Sequence, residues 1–247
     1  MSKLLNQSTK APESFKKEAT KVKTEDLLVR LRALQAVLFA ERKHSVLIVL
    51  QGMDASGKDG AVKNVFSGVN PMGCKVKAFK APTEEEKSHD FLWRIHPHAP
   101  EKGMIQLFNR SHYEDVLVPR VHEWIDKEEV NRRFGHINAW EQLLVDSGTL
   151  VFKFYLHISE EEQKERFEER INNPEKRWKY KASDLEEAKL WPAYRTAFED
   201  IFENCQKAAS WQIIPADQNW YKDYLIASTI VEKLEKLKMQ YPQILDK

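Results

Sequence analysis

The chain of 247 residues holds only two cysteines, Cys74 and Cys205. Two thiols supply neither a disulfide framework nor a metal quartet, and they fit a reducing cytoplasm. No apolar run approaches the length needed to cross a membrane, and the N-terminus lacks a signal peptide's apolar core. Internal repeats, low-complexity tracts and an interdomain linker are also missing. Charge of one sign is scarce in excess: 39 Lys and Arg stand against 38 Asp and Glu, a formal net charge of +1. That balance argues against a nucleic-acid-binding coat. The length suits one large α/β domain with a good core. Residues 1–23, with lysines at 3, 10, 16, 17, 21 and 23, read as a mobile or wrapping arm, and 24–247 as a single domain.

What is present is an alternation of strand and helix signals. Leu27, Leu31, Leu34 and Leu38 stripe a helix from about Thr24, its N-cap, to Arg42. Strands are expected at 45–50, 75–80, 104–108, 150–158 and 211–215. Helices are expected from Pro82 to Trp93, from Lys127 to Asp146, from a capping box at Ser159 to Ile171, from Ser183 to Ala208, and at the C-terminus. Such alternation predicts an α/β fold of five parallel strands with helices on both faces, in three layers.

The most informative stretch joins the first strand to the helix after it. Gln51-Gly52-Met53-Asp54-Ala55-Ser56-Gly57-Lys58-Asp59 carries the GxxxxGK pattern of a phosphate-binding P-loop, in the strand–loop–helix context that supports it. Gly52, Ala55, Ser56, Gly57 and Asp59 are therefore candidate phosphate-binding positions, with Lys58 adding a full positive charge. Asp59 stands where most such loops carry the Mg²⁺-ligating Ser or Thr. Asp54 places a carboxylate inside the anion nest, which makes sense if Mg²⁺ lies between it and the substrate.

Ligands of parallel sheets gather at the carboxyl ends of the strands. The second strand ends in Lys80, a further phosphate contact. The third ends in Asn109-Arg110-Ser111-His112-Tyr113-Glu114-Asp115. Asn109 occupies the place of the usual metal-binding Asp, so Asp54 is the first metal candidate, with Glu114 and Asp115 behind it. Arg110 suits a transferring phosphoryl group, the alternative being an ion pair with Glu114 or Asp115. After the fourth strand, a basic segment within about 160–190 resembles the closing lid of nucleotide kinases. Arg170 and Arg177 flank its break, and the alternative there is a solvated charged face. His89, His96 and His98 lack the partners of a metal set. His112 either meets phosphate or makes a structural hydrogen bond. No Ser/His/Asp triad is visible.

QGMDASGKDG at 51–60, FNRSHYEDVL at 108–117, NPEKRWK at 173–179 and IIPAD at 213–217 together resemble the polyphosphate kinase 2 family. The resemblance runs from about residue 24 to the C-terminus. It implies a thymidylate-kinase-like P-loop fold with a helical lid. It also implies reversible, Mg²⁺-dependent phosphoryl transfer between inorganic polyphosphate and nucleotides. Asp54, Lys58, Arg110 and Arg170 become the catalytic set, Asp54 and Asp115 the metal ligands, and Asn109, Glu114 and Asp115 the nucleotide contacts. FNRSHYED resembles the subgroup accepting both AMP and ADP. Adenine and also guanine nucleotides are the implied acceptors, and a homo-oligomer the implied assembly. An ATP-dependent nucleoside monophosphate kinase on the same fold is the alternative.

Overall fold

The computed structural model describes residues 4–179 and 182–243. Five strands form one all-parallel sheet: β1 (Ser45–Gln51), β2 (Cys74–Ala78), β3 (Ile105–Asn109), β4 (Thr149–His157) and β5 (Trp211–Pro215). Their spatial order is β2-β3-β1-β4-β5. Every residue of β1 is buried, as a central strand covered on both faces requires. Its alternate side chains feed two cores. Leu47 and Val49 join Phe108, Tyr155, Phe134 and Phe198 on one face. Val46, Ile48 and Leu50 join Leu31, Phe154 and Ile230 on the other. Helices α5 (Lys127–Asp146) and α8 (Trp191–Asn204) cover the first face; α1 (Lys17–Glu41) and α9 (Asn219–Glu235) cover the second.

Several local expectations change. Thr24 is no N-cap: α1 begins at Lys17, and the Thr24 hydroxyl donates to Thr20 O inside the helix. Its leucine stripe holds, with Leu27, Leu31 and Leu38 buried and Leu34 packed beside them. The residues before α1 wrap. Leu4 is buried in the first core, Thr9 Oγ1 donates to Asp217 at 2.7 Å, and Phe15 packs edge-on against Tyr221. Between Pro82 and Trp93 only one turn, α3 (Glu84–Lys87), is helical. Thr83 and Glu86 cap it fully, and the chain then turns toward the prolines. A short helix that periodicity does not reveal, α4 (Glu114–Val121), follows β3. The expected 183–208 helix is two, α7 (Ala182–Ala188) and α8, because Pro192 starts the second. The box at Ser159 is half formed. Ser159 Oγ accepts from Glu162 N, but Ser159 N donates to Asp217 and the Glu162 carboxylate takes Arg166.

One charge pair is wholly inside. Lys153, in the middle of β4, and Glu141, on α5, are both 0% exposed and meet at 2.6 Å. Lys153 also donates to Cys205 O and contacts Tyr113 Oη, whose hydroxyl donates to Glu141 at 2.7 Å. Removing one partner of such a pair leaves an uncompensated charge, whereas replacing both with apolar groups is often neutral. Glu141→Leu alone is expected to cost about 3–5 kcal/mol. Adding Lys153→Met should restore most of it, as read by denaturant unfolding; equal losses in both variants would contradict this account.

Candidate active site

The end of β1 must turn sharply before α2 (Lys58–Val65) can begin. Gly52 makes the first bend at φ 150°, and a Cβ there would lie 2.7 Å from Leu156 O. Gly57 makes the last at φ 94°, where a Cβ would lie 2.9 Å from Lys222 Nζ. Between them Ala55 is also left-handed, at φ 62°. The loop N–H groups and the first turn of α2 create a positive nest.

The charges around this nest are paired with one another. Lys58 Nζ folds back onto Gly52 O at 2.7 Å and Met53 O at 3.0 Å. Burial, with Arg110 next, pushes the Lys58 ammonium down to about 8, against the pull of Asp54, Glu114 and Asp59. Arg110 follows β3 at a left-handed φ of 61°. Its guanidinium spans Asp54 at 2.5 Å and Glu114 at 3.4 Å. Burial pushes the Glu114 carboxyl up, while Arg110 and Lys58 pull it down. Asn109 Nδ2 donates to Asp59 Oδ1 at 2.7 Å, so these two candidates meet each other across the loop.

Asp115 faces elsewhere. It is buried, pairs with Arg94 at 2.8 Å, and its carbonyl accepts from Arg133. Burial raises its carboxyl, and Arg94 is the main opposing influence. Arg94 also donates to Lys80 O, tying the end of β2 to α4. The Lys80 side chain is exposed at the cleft wall. Among the described residues no three His, Cys, Asp or Glu side chains are grouped to cage a metal. His112 is buried, its Nε2 3.3 Å from Glu141, so its role is the structural one. His96 Nδ1 accepts from the Trp140 indole.

The helix after β4, α6 (Glu160–Asn172), ends at Asn173 before Pro174. Arg170 near its end lies 3.6 Å from Asp184 on α7 and stacks over Phe167. Arg177 is exposed and donates to Ile171 O, away from the nest. Asp54, Lys80, Arg110, Glu114, Asp115 and Asp184 line one cleft of about 1200 Å³ together with the apolar Phe91, Leu92, Trp124 and Trp140. Arg94 and Arg133 also line this cleft, and periodicity does not reveal them. A single arginine within Phe91-Leu92-Trp93-Arg94-Ile95 is the available signal, because a charge in an apolar run must have a partner. Gln163, Arg166 and Lys222 also hold the loop, donating to Asp54 O, Ala55 O and Gly57 O.

The model of the family described as polyphosphate kinase 2 matches residues 14–242. The chain is 51% identical to the AMP/ADP-polyphosphate phosphotransferase of Meiothermus ruber, over 87% of this chain and 80% of that one. It is 43% identical to the ADP-polyphosphate phosphotransferase of Rhodopseudomonas palustris, over 87% and 78%. The crystal structure of polyphosphate kinase 2 from Arthrobacter aurescens superposes with a TM-score of 0.95 at 39% identity, covering 99% of this chain and 88% of that one. A P-loop, a post-β3 arginine and a basic segment after β4 on this parallel sheet thus coincide with a match over nearly the whole length, and the chain belongs to the polyphosphate kinase 2 family.

Proposed function

We propose that this protein transfers phosphoryl groups directly between inorganic polyphosphate and adenine nucleotides, ADP to ATP and AMP to ADP, reversibly. The carrying observation is the Asp54–Arg110 contact at 2.5 Å beside Lys58, an acid and two cations gathered at one P-loop. The printed names of the relatives, one with AMP and ADP together, support the acceptor class. Guanine nucleotides are included as a second acceptor class. The free thiols of Cys74 and Cys205 suit a cytoplasmic setting. Among the described residues no helix is long and apolar enough to cross a membrane. Self-association into a homo-oligomer is part of the same reading.

Mg²⁺ is the proposed cofactor. This ion is commonly held by one or two carboxylates, substrate phosphates and water rather than by a protein cage. Asp54 in the nest fits that donor set, and Asp115, though engaged by Arg94, is the proposed second carboxylate. When bound, the metal would neutralise charge between the phosphates.

The chain's own groups do the rest. Loop N–H groups and Lys58 hold phosphate oxygens, and Lys58 exchanges its carbonyl partners for them. Arg110 exchanges Asp54 for the transferring phosphoryl group, and Arg170 exchanges Asp184 for the same charge. A terminal oxygen of the nucleotide attacks a polyphosphate phosphorus in line. The bridging P–O bond breaks, and its electron pair leaves with the shortened polyphosphate. No protein nucleophile is required. Asn109, Glu114 and Asp115 are proposed to orient the nucleotide side, and Arg177 to join the lid contacts on closure.

Purified protein incubated with ADP, Mg²⁺ and polyphosphate should form ATP. An ATP-dependent monophosphate kinase would instead need ATP with AMP and ignore polyphosphate. Asp54→Asn and Lys58→Ala should each lower turnover about 10²–10³-fold with the fold intact, the usual scale for one preorganised charge contact. Near wild-type turnover of Asp54→Asn at saturating Mg²⁺ would exclude its metal role.

Arg170→Ala should cost about 10³-fold or more, as arginines that meet the transferring group do. Arg177→Ala should cost less, because its resting contact lies outside the cleft. Steady-state kinetics of both variants decide this, and a reversed order would reassign the lid arginine.

Lys58 also fixes an alkaline limit. Its folded value of about 8 lies below the ordinary 10.5, so the free protein sheds this proton as pH rises through about 8. The charge needed for phosphate is present below that pH and lost above it, so kcat/KM should fall there. Bound phosphates keep the proton on, so the kcat limb should lie higher. Lys58→Arg should abolish the limb, at lower activity; a limb unchanged in that variant would assign it to another group.

A further inference from the structure

A loop that turns its N–H groups toward an anion turns its carbonyls away, and each buried carbonyl needs a donor. Lys58 serves Gly52 O and Met53 O from within. The next carbonyls are served from elsewhere in the fold. Asp54 O accepts from Gln163 Nε2 at 2.8 Å. Ala55 O accepts from Arg166 Nη1 at 2.8 Å. Gly57 O, which accepts from Ala61 N at 2.9 Å within α2, accepts also from Lys222 Nζ at 3.2 Å.

These three donors are themselves fixed. Lys222 is 0% exposed, and its ammonium also donates to Asn219 Oδ1 at 2.8 Å. Its nearness to Gly57 explains the second demand for glycine there, since a Cβ would crowd the ammonium. Arg166 spreads its remaining nitrogens over Glu162, Ala216 O and Asp217 O, joining α6 to the end of β5. Gln163 and Arg166 share a face of α6 with Arg170, at spacings that bring side chains to one side of a helix.

We propose that Gln163, Arg166 and Lys222 are positioning residues that lock the outward carbonyls of the P-loop and aim its N–H groups at phosphate, and that Gln163 and Arg166 also set the reach of Arg170 through α6, the helix they share with it. This rests on the phosphoryl-transfer reading above. Of the three, Gln163 alone lines the cleft, and the KM readout below separates positioning from substrate contact. Their effect is on the geometry of the nest, and misplacement of about 1 Å can cost on the order of 10²-fold in rate.

The test uses the full chain with Gln163→Leu and Lys222→Met, which remove the donors at similar volume. Arg120→Ala is the control: it breaks a part-buried pair with Asp200 outside the loop. Both positioning variants should lose on the order of 10²-fold in kcat with KM for ADP nearly unchanged. Amide exchange should quicken at Ser56 and Ala61, which donate to Met53 O and Gly57 O. Arg120→Ala should lose thermal stability while keeping kcat and that exchange. Wild-type kcat and exchange in folded Gln163→Leu and Lys222→Met would overturn the proposal. So would kcat losses that track melting temperature equally across all three variants. Should Lys222→Met not fold, Gln163→Leu, which removes an uncharged donor, decides alone. If wild-type protein moved no phosphoryl group from polyphosphate, the functional reading would fall, and the exchange rates would still decide whether the three donors hold the loop.

Discussion

Cations meant for phosphate cannot stand unpaired in a folded protein before phosphate arrives. The site is arranged around that constraint. Lys58 rests on the carbonyls of its own loop, Arg110 on Asp54 and Glu114, and Arg170 near Asp184. Each partner is an oxygen, so each stands in for a phosphate oxygen. Binding can then proceed by exchange of oxygens, without desolvating a bare charge. A metal at Asp54, as proposed above, would lower the cost of separating Arg110 from Asp54 by taking over the carboxylate's need for positive charge.

The sheet supplies the directions for this exchange. In a parallel sheet all strands deliver their ends to one edge, so β1, β2 and β3 bring the loop, Lys80 and Arg110 to the same cleft. The buried Lys153–Glu141 pair lies directly behind. It holds Tyr113 and His112, the residues between Arg110 and α4. An ion pair is a poor source of stability at 0% exposure, but it admits few alternative packings. That restriction suits a backbone that must keep Arg110 in a left-handed conformation.

Much of this was legible in the residues themselves. All five strands lie close to where they were expected; β1, β3 and β4 do so because buried parallel strands must be continuously apolar, whereas the edge strand β2 is half exposed and carries lysines. The loop was legible because glycine spacing and context have few other uses. Arg94, Arg133, Arg166 and Lys222 were not, because their roles depend on residues far away in sequence. Lys222 faces Gly57 across 165 positions, and no local pattern records such a pairing. Short helices failed for another reason. From Pro82 to Trp93 the composition permits a helix, yet Thr83, Glu86 and Ser88 satisfy their hydrogen bonds within one turn, and the chain then bends. At Thr24 the cap residue was real in kind but wrong in place, its hydroxyl bonding back within α1.

The lid adds a mechanical consequence. A closing segment that hung from a flexible joint would bring its arginine to many positions, and the entropy of fixing it would fall on every turnover. Here α6 is anchored at its start by Ser159 N on Asp217 and along its length by Gln163 and Arg166 on the loop. Its far end is held by nearer partners: Arg170 meets Asp184 on α7, Lys176 Nζ donates to Glu169, and Arg177 donates to Ile171 O. Arg170 follows Arg166 by about one turn of the same anchored helix. In the proposed reaction Arg170 would thus reach the transferring charge from a helix anchored to the P-loop itself.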